Sequence, residues 1–288
     1  MGMLSAMFLG LVQGISEFLP ISSSGHLSLL QHFFGLAGTE GQLFFDVLLH
    51  LGTLIAIFVY YWKDILDLLK ELGRLFLVLL GKGEKKGPVT ASGGRKLKLT
   101  PDSRMIVMIL VATIPLFFVL PIKDKVESLY GNVVFIGCAL IVTGTILFIS
   151  DRMARGTKTA KNATMLDAFL VGIGQAVAVV PGLSRSGTII SAGMLRGFQR
   201  SFAVRFSFLL SIPAVLGANI ISIKDAMEAG IDASRMPMYI AGTIVAAVSG
   251  YFAIRLVNVL ANKGKFGNFA YYCWGVGAAA LAAFAIFH

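Results

Sequence analysis

The sequence predicts an all-α polytopic membrane protein, with six transmembrane helices plus two re-entrant helix hairpins in an inverted-topology repeat. Three observations predict it. Of 288 residues, 56% are hydrophobic and 14% are charged, where a soluble protein carries about 25% charged residues; the mean hydropathy is +0.81. Several apolar runs reach the roughly 18–20 residues needed to cross a bilayer. Two further apolar segments break halfway at a proline, and their broken ends match under a shift of 162 residues. The chain reads as a single integral membrane domain over 1–288, with repeat 1 at about 1–150, repeat 2 at about 163–288 and a basic cytoplasmic loop at about 63–104.

Residues 3–18 form an apolar helix that carries the carboxylate of Glu17 and stops before Pro20. A second short helix follows at about 25–34. Two half-length helices joined at a polar break are tolerated in a bilayer only where the break lines a protein cavity. The first full span is 44–62, ending in the aromatic belt Tyr60, Tyr61 and Trp62. The amphipathic run Lys63–Leu80 reads as an interfacial helix, followed by the Gly/Lys-rich linker Gly81–Gly94 and the basic residues Arg95, Lys96, Lys98 and Arg104. Spans follow at about 105–122 and 132–150, then a short apolar segment at 166–180 that breaks at Pro181-Gly182, and a short helix at about 187–198. Full spans at about 203–222, 238–258 and 267–287 complete the chain.

The net charge of +10 sits in loops between apolar segments, which assigns it to membrane orientation rather than to nucleic acid. The loops at 63–104, 151–165, 196–200 and 259–266 hold most of the Lys and Arg and are expected in the cytoplasm; those at 36–42, 123–131 and 224–236 have balanced charge and are expected outside. These sides alternate consistently only if both broken segments are re-entrant, the first entering from outside and the second from the cytoplasm. The N-terminus has neither a basic n-region nor a small-residue cleavage site, so no signal peptide is expected. Met1-Gly2 is not a myristoylation signal either, because Ala6 stands where Ser or Thr is needed. Cys138 and Cys273 lie in separate apolar segments without a CxxC spacing and read as packing residues.

The 162-residue shift places Gly10 on Gly172, Gln13 on Gln175, Ser22 on Ser184, Ser24 on Ser186 and Gly25 on Gly187, while Arg185 matches Ser23. In an inverted repeat the two breaks meet near the midplane. Two helix N-termini then face one cavity: Ser22-Ser23-Ser24-Gly25 and Ser184-Arg185-Ser186-Gly187-Thr188. Such ends, with their backbone N–H groups, bind anions, and the Arg185 guanidinium matches phosphate oxygens. A carboxylate in a membrane helix costs about 2.5–3.5 kcal/mol and is a functional residue by default; Glu17 suits a divalent cation, and Gln13, one turn earlier, offers a neutral amide oxygen. His26 titrates near neutrality, and Ser23 is the candidate nucleophile. The set suits phosphoryl transfer on a substrate with a greasy tail. Plainer readings stand beside each: Glu17 at a water interface, His26 as a packing histidine, Arg185 merely neutralising a carboxylate. Asp46 and His50, at i, i+4, read as a supporting pair near the outer surface, and Gln175 as a supporting residue.

The stretch Gln13-Gly-Ile-Ser-Glu17-Phe-Leu-Pro-Ile-Ser-Ser-Ser-Gly-His26 and the stretch Pro181-Gly-Leu-Ser-Arg-Ser-Gly187 resemble the bacterial undecaprenyl-pyrophosphate phosphatases of the bacitracin-resistance type, over essentially the whole chain. The second family motif, Pro-Gly-x-Ser-Arg-Ser-x-x-Thr, is broken at its last position, where Ile189 stands and Thr188 precedes it. The resemblance implies hydrolysis of a C55 polyprenyl diphosphate, dependence on Mg²⁺ or Ca²⁺, an outward-facing site in the cell membrane, and recycling of a lipid carrier for cell-wall synthesis. By residue it implies Glu17, Ser23, His26 and Arg185 as functional, with Ser22 and Ser184 as neighbours. Ser23 is expected as nucleophile, His26 as acid/base and Arg185 as the phosphoryl-stabilising cation; whether Ser23 or His26 attacks, and whether Glu17 holds the metal or activates the serine, stays open. Partners implied are the polyprenyl diphosphate and bilayer lipid, with a homodimer left open. The rival reading is a transporter that flips the lipid phosphate through the same inverted-repeat cavity.

Overall fold

A computed structural model describes residues 2–34, 42–81, 99–122, 125–126, 128–228 and 233–287. The linker region 82–98 with Arg95, Lys96 and Lys98, most of the loop at 36–42, and the parts of the loops at 123–124, 127 and 229–232 lie outside the described residues. The described residues form eleven α-helices: α1 (Met3–Phe18), α2 (Ser23–Phe34), α3 (Gln42–Tyr60), α4 (Trp62–Leu79), α5 (Pro101–Phe117), α6 (Val133–Met153), α7 (Met165–Val177), α8 (Arg185–Leu195), α9 (Arg200–Glu228), α10 (Met236–Asn262) and α11 (Phe269–Phe287). The five stretches Pro101–Ile122, Val133–Met153, Arg200–Ile223, Met236–Asn262 and Phe266–Ile286 are long and apolar enough to cross a membrane. A sixth comes only from α3 and α4 taken together as one span, bent by 84° between Tyr60 and Trp62. The fold is the all-α polytopic one that the composition predicts.

Local chemistry sets the boundaries. Helix α1 ends where Leu19 turns extended ahead of Pro20, as a residue before proline prefers. Thr100 caps α5 by accepting from Ser103 N, with Pro101 at the first helical position. Asn132 caps α6 and a Thr164/Asp167 capping box starts α7. The two short helices start two residues earlier than expected, at Ser23 and Arg185. The reason is the same in both: Ser22 Oγ accepts from Gly25 N at 3.2 Å and Ser184 Oγ accepts from Gly187 N at 3.1 Å. Ser22 holds a left-handed backbone, φ 70°.

The two half-length helices pack across the halves of the chain rather than within them. Helix α1 lies along α10, and α7 lies along α5. A Cβ on Gly10 would stand 2.2 Å from the Gly242 carbonyl oxygen, and one on Gly172 would stand 2.4 Å from the Ala112 carbonyl oxygen. Thus the two glycines superimposed by the 162-residue shift make equivalent backbone-to-backbone contacts. Helix α6 packs on α11, and α3 on both α9 and α10.

At the end expected in the cytoplasm, buried acids hold the basic loops in place. Asp167, fully buried, pairs with Lys158 at 2.8 Å and Arg196 at 2.9 Å. Asp151 pairs with Arg200 and accepts from Gly267 N at 2.9 Å. Helix α4 exposes Leu66, Leu69, Leu72 and Phe76, as a helix lying in the interface does. Its one buried residue, Glu71, accepts from Arg74 Nε at 2.8 Å, from Thr100 Oγ1 at 2.6 Å and from Ser103 Oγ. Cys138 and Cys273 are free thiols.

Two predictions follow from this packing. Gly10→Ala drives a methyl into backbone and is expected to cost about 1–3 kcal/mol, whereas Gly73→Ala on α4, with nothing within 4 Å, is expected to gain up to about 1 kcal/mol from helix propensity. Thermal unfolding of both variants in detergent reads the opposite signs. The Arg74 hydrogen bonds hold the Glu71 carboxyl at about 2, with those of Ser103 and Thr100 adding to them and burial opposing. Because this value lies below the ordinary 4.5, the anchor's contribution is complete above that pH and is lost as pH falls from there towards 2. Glu71→Gln should flatten that acid limb of the stability profile.

Candidate active site

The two breaks meet and interlock reciprocally. Ser24 Oγ accepts from Gly182 N, and Ser186 Oγ donates to the Leu19 carbonyl, both at 3.4 Å. A Cβ on Gly25 would stand 3.1 Å from Ser22 Oγ and 3.2 Å from the Gly182 Cα, and one on Gly187 would stand 3.0 Å from the Pro20 Cβ, so the two breaks are in tight contact at both glycines. Thr143 on α6 fastens the second break, donating to Gly182 O and accepting from Ser184 N, each at 3.2 Å.

Beside this junction lies a cavity of about 410 Å³. At its wall the Glu17 carboxylate joins three groups. It forms an ion pair with Arg185 from the second break. It accepts from Ser23 Oγ at 2.8 Å and from Gln13 Nε2 at 3.0 Å. The Glu17 side chain is 7% exposed and that of Arg185 27%. One break therefore supplies the carboxylate and the hydroxyl, and the other supplies the cation. The remaining wall is mixed: Leu27, Val47, Leu116, Val179, Leu183 and Val215 stand among polar residues that include Asp46, His50, Gln175 and Asn219. At the position equivalent to Glu17 under the 162-residue shift stands Val179, so the two halves are not chemically equivalent.

Each residue singled out in the sequence has a definite place. Gln13, Glu17, Ser23, Ser24, Ser184 and Arg185 line the cavity, as do Gln175, Asp46 and His50. Ser22, Gly25, Ser186 and Gly187 are buried behind it as helix caps and contact points between the breaks. Because Ser22 and Ser184 each close the third backbone amide of their helix, those amides are occupied rather than open to an anion. Thr188 is buried with its hydroxyl unpartnered among the described residues, and Ile189, in the place of the motif threonine, is packed into the apolar core.

The expected proton-transfer role of His26 finds no contact with the Glu17 cluster. The imidazole is stacked on Tyr272, with centroids 5.6 Å apart, and its Nε2 meets Tyr272 Oη at 2.8 Å. Its Nδ1 meets the Ser22 carbonyl at 2.8 Å, and His26 does not line the cavity. The helical geometry explains this: α2 begins at Ser23, and the next turn carries His26 towards α11. The Asp46–His50 pair is also different in kind. His50 Nδ1 meets the Asp46 backbone carbonyl at 2.8 Å, and both side chains line the cavity.

Sequence reading missed Asn219 and Tyr272. Asn219 on α9 lines the cavity, is 9% exposed, and has an Nδ2 donor unpartnered among the described residues. Its signal was an amide within an apolar span; Tyr272 sat in an aromatic cluster with nothing to distinguish it. Two carbonyl oxygens of the same cavity, Gln13 Oε1 and Gln175 Oε1, are likewise buried and unpartnered among the described residues.

Comparison with known proteins gives a consistent result. The family model described as "Bacitracin resistance protein BacA" matches residues 6–279. The "Undecaprenyl-diphosphatase" of Methanosphaera stadtmanae is 43% identical over 275 residues, covering 95% of each chain. The protein of the same description from Alkaliphilus metalliredigens is 41% identical over 278 residues, 94% of this chain and 95% of the relative. "Undecaprenyl-diphosphatase 4" of Bacillus thuringiensis subsp. konkukian is 36% identical over 278 residues, 96% of this chain and 95% of the relative.

Removing one partner of a largely buried ion pair strands the other, at a cost that reaches about 3–5 kcal/mol. Arg185→Met and Glu17→Gln should each lower thermal stability, Arg185→Met the more because it leaves a carboxylate unpaired. The double variant should recover part of the loss without recovering activity. Additive losses in that double-mutant cycle would show that the pair is not coupled.

Proposed function

Because the chain belongs to the bacitracin resistance protein BacA family, we propose that it hydrolyses undecaprenyl diphosphate to undecaprenyl phosphate and inorganic phosphate, recycling the lipid carrier for cell-wall synthesis. The observation that carries this reading is the Ser23 hydroxyl donating to Glu17 at 2.8 Å while Arg185 from the other break pairs with the same carboxylate. A nucleophile, a base and a phosphate-binding cation share one cavity, part of whose wall is apolar. A lipid transporter needs a cation for the phosphate but has no use for a hydroxyl bonded to a carboxylate. The site faces outward, a reading supported by the position of the basic loops.

In this mechanism the incoming diphosphate competes with Glu17 for Arg185. The guanidinium moves its hydrogen bonds to phosphate oxygens, whose geometry it matches, and Glu17 loses the cation that held it. Ser23 Oγ attacks the terminal phosphorus and gives its proton to Glu17, while the bond from phosphorus to the bridging oxygen breaks and undecaprenyl phosphate leaves. Water then attacks the phosphoserine. Glu17 returns a proton to Ser23 Oγ as that bond breaks, and takes up the proton that the attacking water loses. Arg185 stabilises the charge spread over the equatorial oxygens in both steps.

A divalent cation fits the oxygen donors at this wall. The Glu17 carboxylate and the unpartnered Gln13 Oε1 are hard ligands, and no cluster of three His, Cys, Asp or Glu side chains occurs among the described residues. That sparse set suits Mg²⁺ or Ca²⁺ completed by water and substrate phosphate oxygens, and when bound such an ion neutralises and polarises the diphosphate.

The purified protein is expected to release phosphate from undecaprenyl diphosphate with Mg²⁺ or Ca²⁺, and to stop when the ion is chelated. Lipid binding without phosphate release by the wild type would overturn the hydrolase reading in favour of transport. Ser23→Ala should lose turnover by at least about 10³-fold with substrate affinity little changed; near-normal turnover would remove Ser23 as nucleophile.

A further inference from the structure

We propose that Gln175 orients the attacking water, an inference that rests on the hydrolase reading above and assigns its water-positioning group. Gln175 is fully buried, yet it lines the same cavity as Glu17 and Ser23. Its amide nitrogen donates to the Ala112 carbonyl at 3.4 Å, while its Oε1 is unpartnered among the described residues. The Ala112 carbonyl sets which end of the amide faces the cavity, because turning the amide over would press oxygen against oxygen. The close approach of α7 to α5 at Gly172 keeps that carbonyl in place.

A buried acceptor left without a donor is costly, so this oxygen calls for one. Phosphate oxygens are acceptors in their ionised form and repel it. Arg185 is directed to Glu17 and then to substrate. The remaining donor that the reaction itself requires is water, and a polar cavity of about 410 Å³ has ample room for one. Gln13, at the equivalent place in the first half, has the same donated nitrogen and unmet oxygen, but it lies one turn from Glu17 on the same helix, where an ion would take it. Gln175 comes from the opposite half. In the second step the water oxygen bonds to phosphorus, the bond from phosphorus to Ser23 Oγ breaks, and the proton the water loses passes to Glu17. A hydrogen bond from the water's other proton to Gln175 Oε1 fixes which lone pair faces phosphorus, the role glutamine takes in hydrolytic phosphoryl transfer. Gln175 is thus a positioning residue.

The test is nucleophile partitioning by the intact protein. Undecaprenyl diphosphate is turned over in Mg²⁺ with methanol added, and phosphate and methyl phosphate are both measured. Gln175→Met retains length and loses the acceptor; its kcat should fall about 10- to 100-fold with KM nearly unchanged, and the ratio of methyl phosphate to phosphate should rise severalfold. If Gln175→Met does not yield monodisperse protein, Gln175→Asn, which withdraws the oxygen by one methylene, is read in the same way. A fall in kcat with an unchanged product ratio would overturn the proposal, as would a shift confined to the Mg²⁺ concentration for half-maximal rate, which would make Gln175 an ion ligand. If the wild type releases no phosphate, the hydrolase reading fails instead.

Discussion

Everything at the centre of this molecule depends on an ion pair between the ends of two short helices. Glu17 closes the first half-length helix and Arg185 opens the second helix of the opposite hairpin. Neither charge is tolerable alone in a low-dielectric setting. Together they join the two backbone breaks. In the mechanism proposed above they hold base and phosphate-binding cation in mutual neutralisation until a polyanion separates them, so that substrate binding and activation of the carboxylate are one event.

The pair can form because the backbones around it come closer than side chains would permit. Gly25 and Gly187 let each break touch the other, and Gly10 and Gly172 let α1 and α7 lie on helices of the opposite half. That crossing arrangement leaves no half able to fold a complete wall of the cavity alone. The hydrogen bonds from Gly182 to Ser24 and from Ser186 to Leu19 repeat the exchange at the scale of single atoms.

Symmetry of backbone has been kept while symmetry of chemistry has not. Ser23 stands opposite Arg185 and Glu17 opposite Val179 under the same shift, so one half carries hydroxyl and carboxylate and the other carries the cation. The two matched glutamines each give their nitrogen away, Gln13 to the Glu17 carboxylate and Gln175 to the Ala112 carbonyl, and each keeps an oxygen unpartnered among the described residues.

The sequence by itself determined the all-α membrane class, the spans, the two breaks and the residues Gln13, Glu17, Ser23 and Arg185, because hydropathy, proline and intramembrane charge act locally and leave a linear trace. It also marked Ser22 and Ser184, although their side chains turn out to cap helices, a role read only once the first helical residue is known. Tertiary structure alone decided the rest. His26 differs from Ser23 by three positions on one helix, and only the place of α11 shows that its ring meets Tyr272 instead of the carboxylate. Asp46 and His50 could be read as a pair from their spacing, yet whether they meet each other or the cavity depends on what packs around α3. Asn219 left only the faint trace of an amide within an apolar span: what sets it apart is a donor unpartnered among the described residues, on the wall of a cavity assembled by helices far apart in the chain, and such a property belongs to the packing rather than to any stretch of residues.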